Sequence, residues 1–284
     1  MWVDAQLVEI VSGIGPLETL EIQKAMGLSE QFFHELGMKH ARSLKKLKLG
    51  NVRRMDDLEL FNQVLPVARK LECLAVNGSI RLWARTMAEY SQFSGVLRIV
   101  ELNVSHCISL PKEFFLLLPK TLPQLRILKA RETCVDDEVV EALLLNPMNA
   151  LQDLDIGACN QLSIKVWETL SKASFSKLKR LTVQGSRGVM EDEQAPRLAY
   201  KALQHMSLHL MTLSVGPILS GKQSFKGWCN LVNAERIEVL KNGILKGCDP
   251  IQHCSRYVDL PVRRVIKAME FLGGVESLSG FGVI

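Results

Sequence analysis

Ile99-Val100-Glu101-Leu102-Asn103-Val104-Ser105-His106-Cys107 and Leu151-Gln152-Asp153-Leu154-Asp155-Ile156-Gly157-Ala158-Cys159 share one template: apolar-x-x-Leu-x-apolar-x-x-Cys. Its first six places recur at 17–22, 44–49, 71–76, 125–130, 178–183 and 210–215. The central leucines are 20, 47, 74, 102, 128, 154, 181 and 213, so the steps are 27, 27, 28, 26, 26, 27 and 32 residues. One such match means nothing, because leucine is common. Six consecutive steps within two residues of each other mark an internal repeat, and a repeat decides the fold before any local reading does. Three places beyond each template stand Ala25, Val52, Ser79, Cys107, Thr133, Cys159, Ser186 and Ile218.

Each Leu-x-apolar core reads as a short strand, whose alternating side chains send the apolar pair inward and the intervening residue out. Helical spacing fills the intervals. Ser29 is placed to cap a helix carrying Phe32, Phe33 and Leu36, and Ser163 one carrying Ile164, Trp167 and Leu170. Residues 136–145 predict a third, with Val139, Val140, Leu143 and Leu144 inward. A coil of this size cannot bury its apolar face alone, so stability has to come from stacking on its neighbours. Stacked helices need about 10 Å each and neighbouring strands about 4.8 Å, which bends the stack with its strands inside. The expected fold is α/β: a solenoid wound as a curved right-handed superhelix, with a parallel concave sheet and convex helices.

The cysteine-ended segments 99–107 and 151–159 resemble the leucine-rich-repeat motif. Their 26-residue steps are similar to the cysteine-containing subclass familiar from F-box proteins, and the longer steps to the ribonuclease-inhibitor subclass. The resemblance covers residues 17–218 and is specific for fold rather than function. It divides the chain into leucine-rich repeats over 1–219 and divergent repeats over 220–284 that continue the same solenoid. For function it implies an interaction module, or alternatively the substrate-recognition subunit of an F-box-type ubiquitin ligase. No F-box-like helical segment precedes the repeats here.

Composition narrows the classes. The 284 residues are 47% hydrophobic and 23% charged with a formal net charge of +5, which is ordinary for a globular chain. Apolar runs such as 113–118 are far shorter than the roughly 20 residues that cross a bilayer, so no membrane role is expected. Residues 1–12 carry Asp4 and Glu9 and lack the basic start of a secretory signal. Seven cysteines in no disulfide-scaffold spacing suit a reducing compartment, and an intracellular location, cytoplasmic or nuclear, is expected.

The outward strand positions form the surface on offer. They are Thr19 and Glu21, Lys46 and Lys48, Cys73 and Ala75, Glu101 and Asn103, Ile127 and Lys129, Asp153 and Asp155, Arg180 and Thr182, and Thr212 and Ser214. Signs are mixed, whereas a nucleic-acid backbone would meet a single-sign stripe, so a protein or peptide partner is expected. The candidate partner-binding residues are Lys46, Lys48, Glu101, Asn103, Lys129, Asp153, Asp155 and Arg180. One exception is local: residues 39–54 hold Lys39, Arg42, Lys45, Lys46, Lys48, Arg53 and Arg54 and no acid. That segment reads first as a solvated helix end and strand, and secondly as a dock for an acidic surface or RNA phosphates.

The catalytic patterns in the sequence are each incomplete. Gly216 to Lys222 matches the start of a phosphate-cradling loop, but Gln223 stands where a magnesium-holding hydroxyl is needed. Cys229, Cys248, His253 and Cys254 lack a close Cys-x-x-Cys pair for zinc. His205 and His209 lack the glutamate of a metalloprotease helix. Asp56-Asp57, Asp136-Asp137 and Glu191-Asp192 fall at expected helix starts and read as caps. No catalytic residue, cofactor or metal is therefore expected. The chain opens on a helix ending near Gly13 and closes on an apolar strand near 275–278, with neither end visibly capped. Those ends are expected to be covered by another subunit or by further sequence, and a structural subunit of a large assembly or ribonucleoprotein is a further reading.

Overall fold

The computed structural model describes residues 4–25, 27–52, 59–78, 98–144, 150–173 and 177–190, with 194–195, 198–199, 201–202, 212–214 and 259–261. Two compact units divide the chain: Met1–Val135 with Asn146–Leu154, and Asp136–Leu145 with Asp155–Ile284. Both have α/β solenoid construction, in which single strands alternate with helices along the chain.

In the first unit the order is α1 (Asp4–Gly13), β1 (Thr19–Gln23), α2 (Glu30–Lys39), β2 (Lys46–Gly50), a π-helical turn (Leu60–Val64), β3 (Cys73–Ala75), β4 (Glu101–Asn103), α3 (Lys112–Thr121) and β5 (Ile127–Lys129). All four strand pairs are parallel, in chain order, and their register aligns Leu20, Leu47, Leu74, Leu102 and Leu128. This is the repeat seen in the sequence, now as one column of stacked side chains. Leu47, Leu74, Leu102 and Leu128 are buried, and Leu20, on the outermost strand, is half-buried. Two parallel columns complete the core: Leu44, Leu71, Ile99 and Leu125 before it, and Ile22, Leu49, Val76, Val104 and Ala130 after it.

Helices close the other side. Ser29 caps α2 by accepting the Phe32 amide at 3.3 Å, and Phe32, Phe33 and Leu36 are fully buried. Gly37 lies so close to the Gln63 carbonyl that a Cβ there would collide with it. The link between α1 and β1 is fixed by polar side chains at the end of α2. His40, completely buried, accepts the Leu17 amide at Nδ1 (3.2 Å) and donates from Nε2 to the Val11 carbonyl (2.8 Å). Asp4 secures the opposite end of α1 by accepting the Ser29 amide at 2.9 Å.

One turn recurs after every described strand of this unit up to β5. Lys24, Asn51, Gly78, His106 and Glu132 occupy equivalent places, all left-handed, with φ of 59, 53, 77, 63 and 53°. Each of the first four donates its amide to a carbonyl of the next coil, at 2.7–2.9 Å. The following place is buried at Ala25, Val52, Cys107 and Thr133; Cys107 Sγ donates to the Val76 carbonyl at 3.2 Å, and Thr133 Oγ1 to the Ala130 carbonyl at 2.7 Å.

In the second unit α4 (Asp137–Leu144), α5 (Lys165–Lys172), β7 (Arg180–Thr182), α6 (Arg187–Met190), β8 (Thr212–Ser214) and β9 (Asp259–Pro261) follow, and the division between units falls within β6 (Asp153–Asp155). Val139, Val140, Leu143 and Leu144 are buried on α4 as their spacing predicts. On α5 the buried set is Val166, Trp167, Thr169 and Leu170, with Ile164 only half-buried. The same left-handed turn returns at Ala158 and Gly185, and Ser186 Oγ donates to the Ile156 carbonyl at 3.1 Å. β7 and β8 are parallel, but β9 runs antiparallel to β8, placing Leu260 opposite Leu213. A wholly parallel ladder was expected, so the reversal at β9 departs from the simple repeat. The strand expected near 275–278 lies outside the described residues. Among the described residues no helix is long and apolar enough to cross a membrane.

Two substitutions test this core. Leu102→Ala removes a fully packed member of the central column and should cost about 2–5 kcal/mol of stability in urea unfolding. Gly78→Ala should cost about 1–2 kcal/mol, because it places a Cβ on a left-handed residue, in this case 2.5 Å from Asn51 Oδ1.

Candidate functional site

The strand register sets Lys46 beside Thr19 and Cys73, and Lys48 beside Glu21 and Ala75. Further along the first unit, Cys73 faces Glu101, Ala75 faces Asn103, and these face Ile127 and Lys129. Lys46, Lys48, Glu101, Asn103 and Lys129 are thus brought onto one strand face. Asp153 follows in this unit, its amide bonded to the Arg126 carbonyl at 2.9 Å. In the second unit Asp155 and Arg180 stand on β6 and β7.

Most of these groups already have work within the fold. Lys48 lies 3.7 Å from Glu21, and Lys129 3.7 Å from Glu101. Asn103 Oδ1 accepts the Ser105 amide and Asp155 Oδ1 the Gly157 amide, both at 3.0 Å, so each side chain folds back on its own strand end. Lys46 differs. It is exposed, its register neighbours are a threonine and a cysteine, and among the described residues no carboxylate pairs with it.

The basic segment 39–54 is less basic in three dimensions than in sequence. Lys39 pairs with Glu35 at 3.1 Å, Lys45 with Glu18 at 2.8 Å, and Lys48 with Glu21. The Lys45 ammonium, first by hydrogen bond and then by charge, holds the Glu18 carboxyl below its usual range, and Glu18 raises Lys45 in return. Arg53 and Arg54 lie outside the described residues. These partners were readable in principle: Glu18 and Lys45, like Glu21 and Lys48, hold the same template place one coil apart with opposite sign.

Cys73 and Ala75 correct the expectation that every outward position is exposed, since they retain 4% and 6% of their accessible surface. Both are short and flanked on either side by longer side chains. Burial, reinforced by the neighbouring Glu101 carboxylate, pushes the Cys73 thiol up to about 11. Another exposed pair sits at the left-handed turns, where His106 Nδ1 and Glu132 Oε2 are 3.0 Å apart.

Of the paired acids, Asp136 is a cap, accepting the Val139 amide at 3.0 Å. Asp137 instead grips Ser163, accepting its amide at 2.9 Å and its hydroxyl at 2.6 Å. Asp137 also lines an open groove of about 230 Å³ between α4 and α5, with Glu138, Glu141, Lys165, Glu168 and Lys172. Among the described residues no cluster of three or more histidine, cysteine or acidic side chains could hold a metal. The segments holding 56–57, 191–192, 205–209, 216–223 and 229–254 lie outside the described residues.

No protein-family model matches the chain, and no curated protein matches it. Among solved structures, a chain from the crystal structure of the Rad7 and Elc1 complex in yeast is similar at a TM-score of 0.41 and 15% identity. The match covers 75% of this chain and 66% of that one, so the chain spans just under two thirds of that relative's length.

Two measurements probe this face. Cys73 should resist alkylation of the native protein at about pH 8, with peptide mapping showing label only after denaturation; rapid native labelling would contradict its burial and raised pKa. Because the Glu18 pKa is lowered on folding, its contribution is present above the ordinary glutamate range and lost as pH falls through the depressed value. Glu18→Gln should therefore lower the urea midpoint at neutral pH, with the difference from wild type shrinking as pH falls through the depressed value.

Proposed function

We propose that this chain is a non-catalytic scaffold of the leucine-rich-repeat type that binds a protein partner through the outward strand face of its coils. The observation that carries the reading is the register itself. Parallel pairing at near-constant spacing holds side chains of neighbouring strands in fixed rows, on a framework whose own core depends on none of them. A rigid row of this kind is the scaffold on which a few anchor residues supply most of the affinity.

Within the face, Lys46 is the best-placed anchor for an acidic side chain of the partner, because it is exposed while Lys45, Lys48 and Lys129 each have an acid nearby. Pairing of Lys39, Lys45 and Lys48 with Glu35, Glu18 and Glu21 also favours a protein over RNA, since it leaves less uncompensated charge for phosphates.

Affinity capture from the native source with the immobilised chain, followed by mass spectrometry, would identify the partner for titration. Lys46→Glu should weaken its binding at least tenfold, about 1.4 kcal/mol, with unfolding midpoint and circular dichroism preserved. Wild-type affinity in Lys46→Glu, Asp153→Ala and Arg180→Ala alike would place the interface elsewhere. Loss of the complex on nuclease treatment would replace the protein partner with RNA.

A further inference from the structure

We draw no further inference here: the strongest candidate, the apolar surface at the first coil of the first unit, where Ile10 and Ile14 are exposed and Leu17 and Leu20 only half-buried, carries nothing because nothing in the structure shows what covers it.

Discussion

A coil of some 27 residues has one strand, at most one helix, and an apolar face it cannot hide from water by itself. Everything in the first unit follows from the way that deficit is met. Leu47 is fully buried because Leu20 and Leu74 lie on either side of it in register, and Leu74 because Leu47 and Leu102 do. Burial of a leucine side chain is worth roughly 1.5–3 kcal/mol, and three such columns run through the unit. The outermost strand shows the same rule from its negative side: Leu20 has a strand neighbour on one side only and stays half-buried.

The stacked leucines fix the backbone, and the backbone then dictates the rest of each coil. In-register parallel strands bring equivalent turns side by side, so amides of Lys24, Asn51, Gly78 and His106 all find carbonyls on the following coil. The positive φ at each of these places is a demand of the repeat, met by glycine twice and by five other residues across the two units. At Cys107, Thr133 and Ser186 the buried residue after the turn gives its thiol or hydroxyl to a carbonyl, so its own polar group is satisfied. His40 plays a comparable part at the first coil, tying together Val11 and Leu17 from a site with no access to water.

The columns were legible from leucine spacing alone, because period and burial are two views of one constraint. Phe32, Phe33, Leu36, Val139, Val140, Leu143 and Leu144 were legible for the same reason, their spacing matching the helix period. The surface was read less well. Position in the alternation says which way a side chain points, but Cys73 and Ala75 show that short residues between long ones are shaded even when they point outward. Charge along the chain is incomplete for a related reason: the acids that answer Lys39, Lys45 and Lys48 sit one coil back, or one helical turn back at Glu35. The antiparallel β9 had no signal, since local pattern carries apolar alternation and not strand direction. Lys46 stands apart from the other lysines of this face only once their partners are known.

The near-constant step between paired strands also bears on how the chain reaches this state. Joining any coil of the first unit to the next closes a loop of nearly the same length, 26 to 28 residues. The entropic cost of loop closure grows only with the logarithm of length, so it is almost identical at every junction. Topology therefore favours no starting point. The coil that folds first is set by its own local strength, and growth from that nucleus proceeds one neighbouring coil at a time.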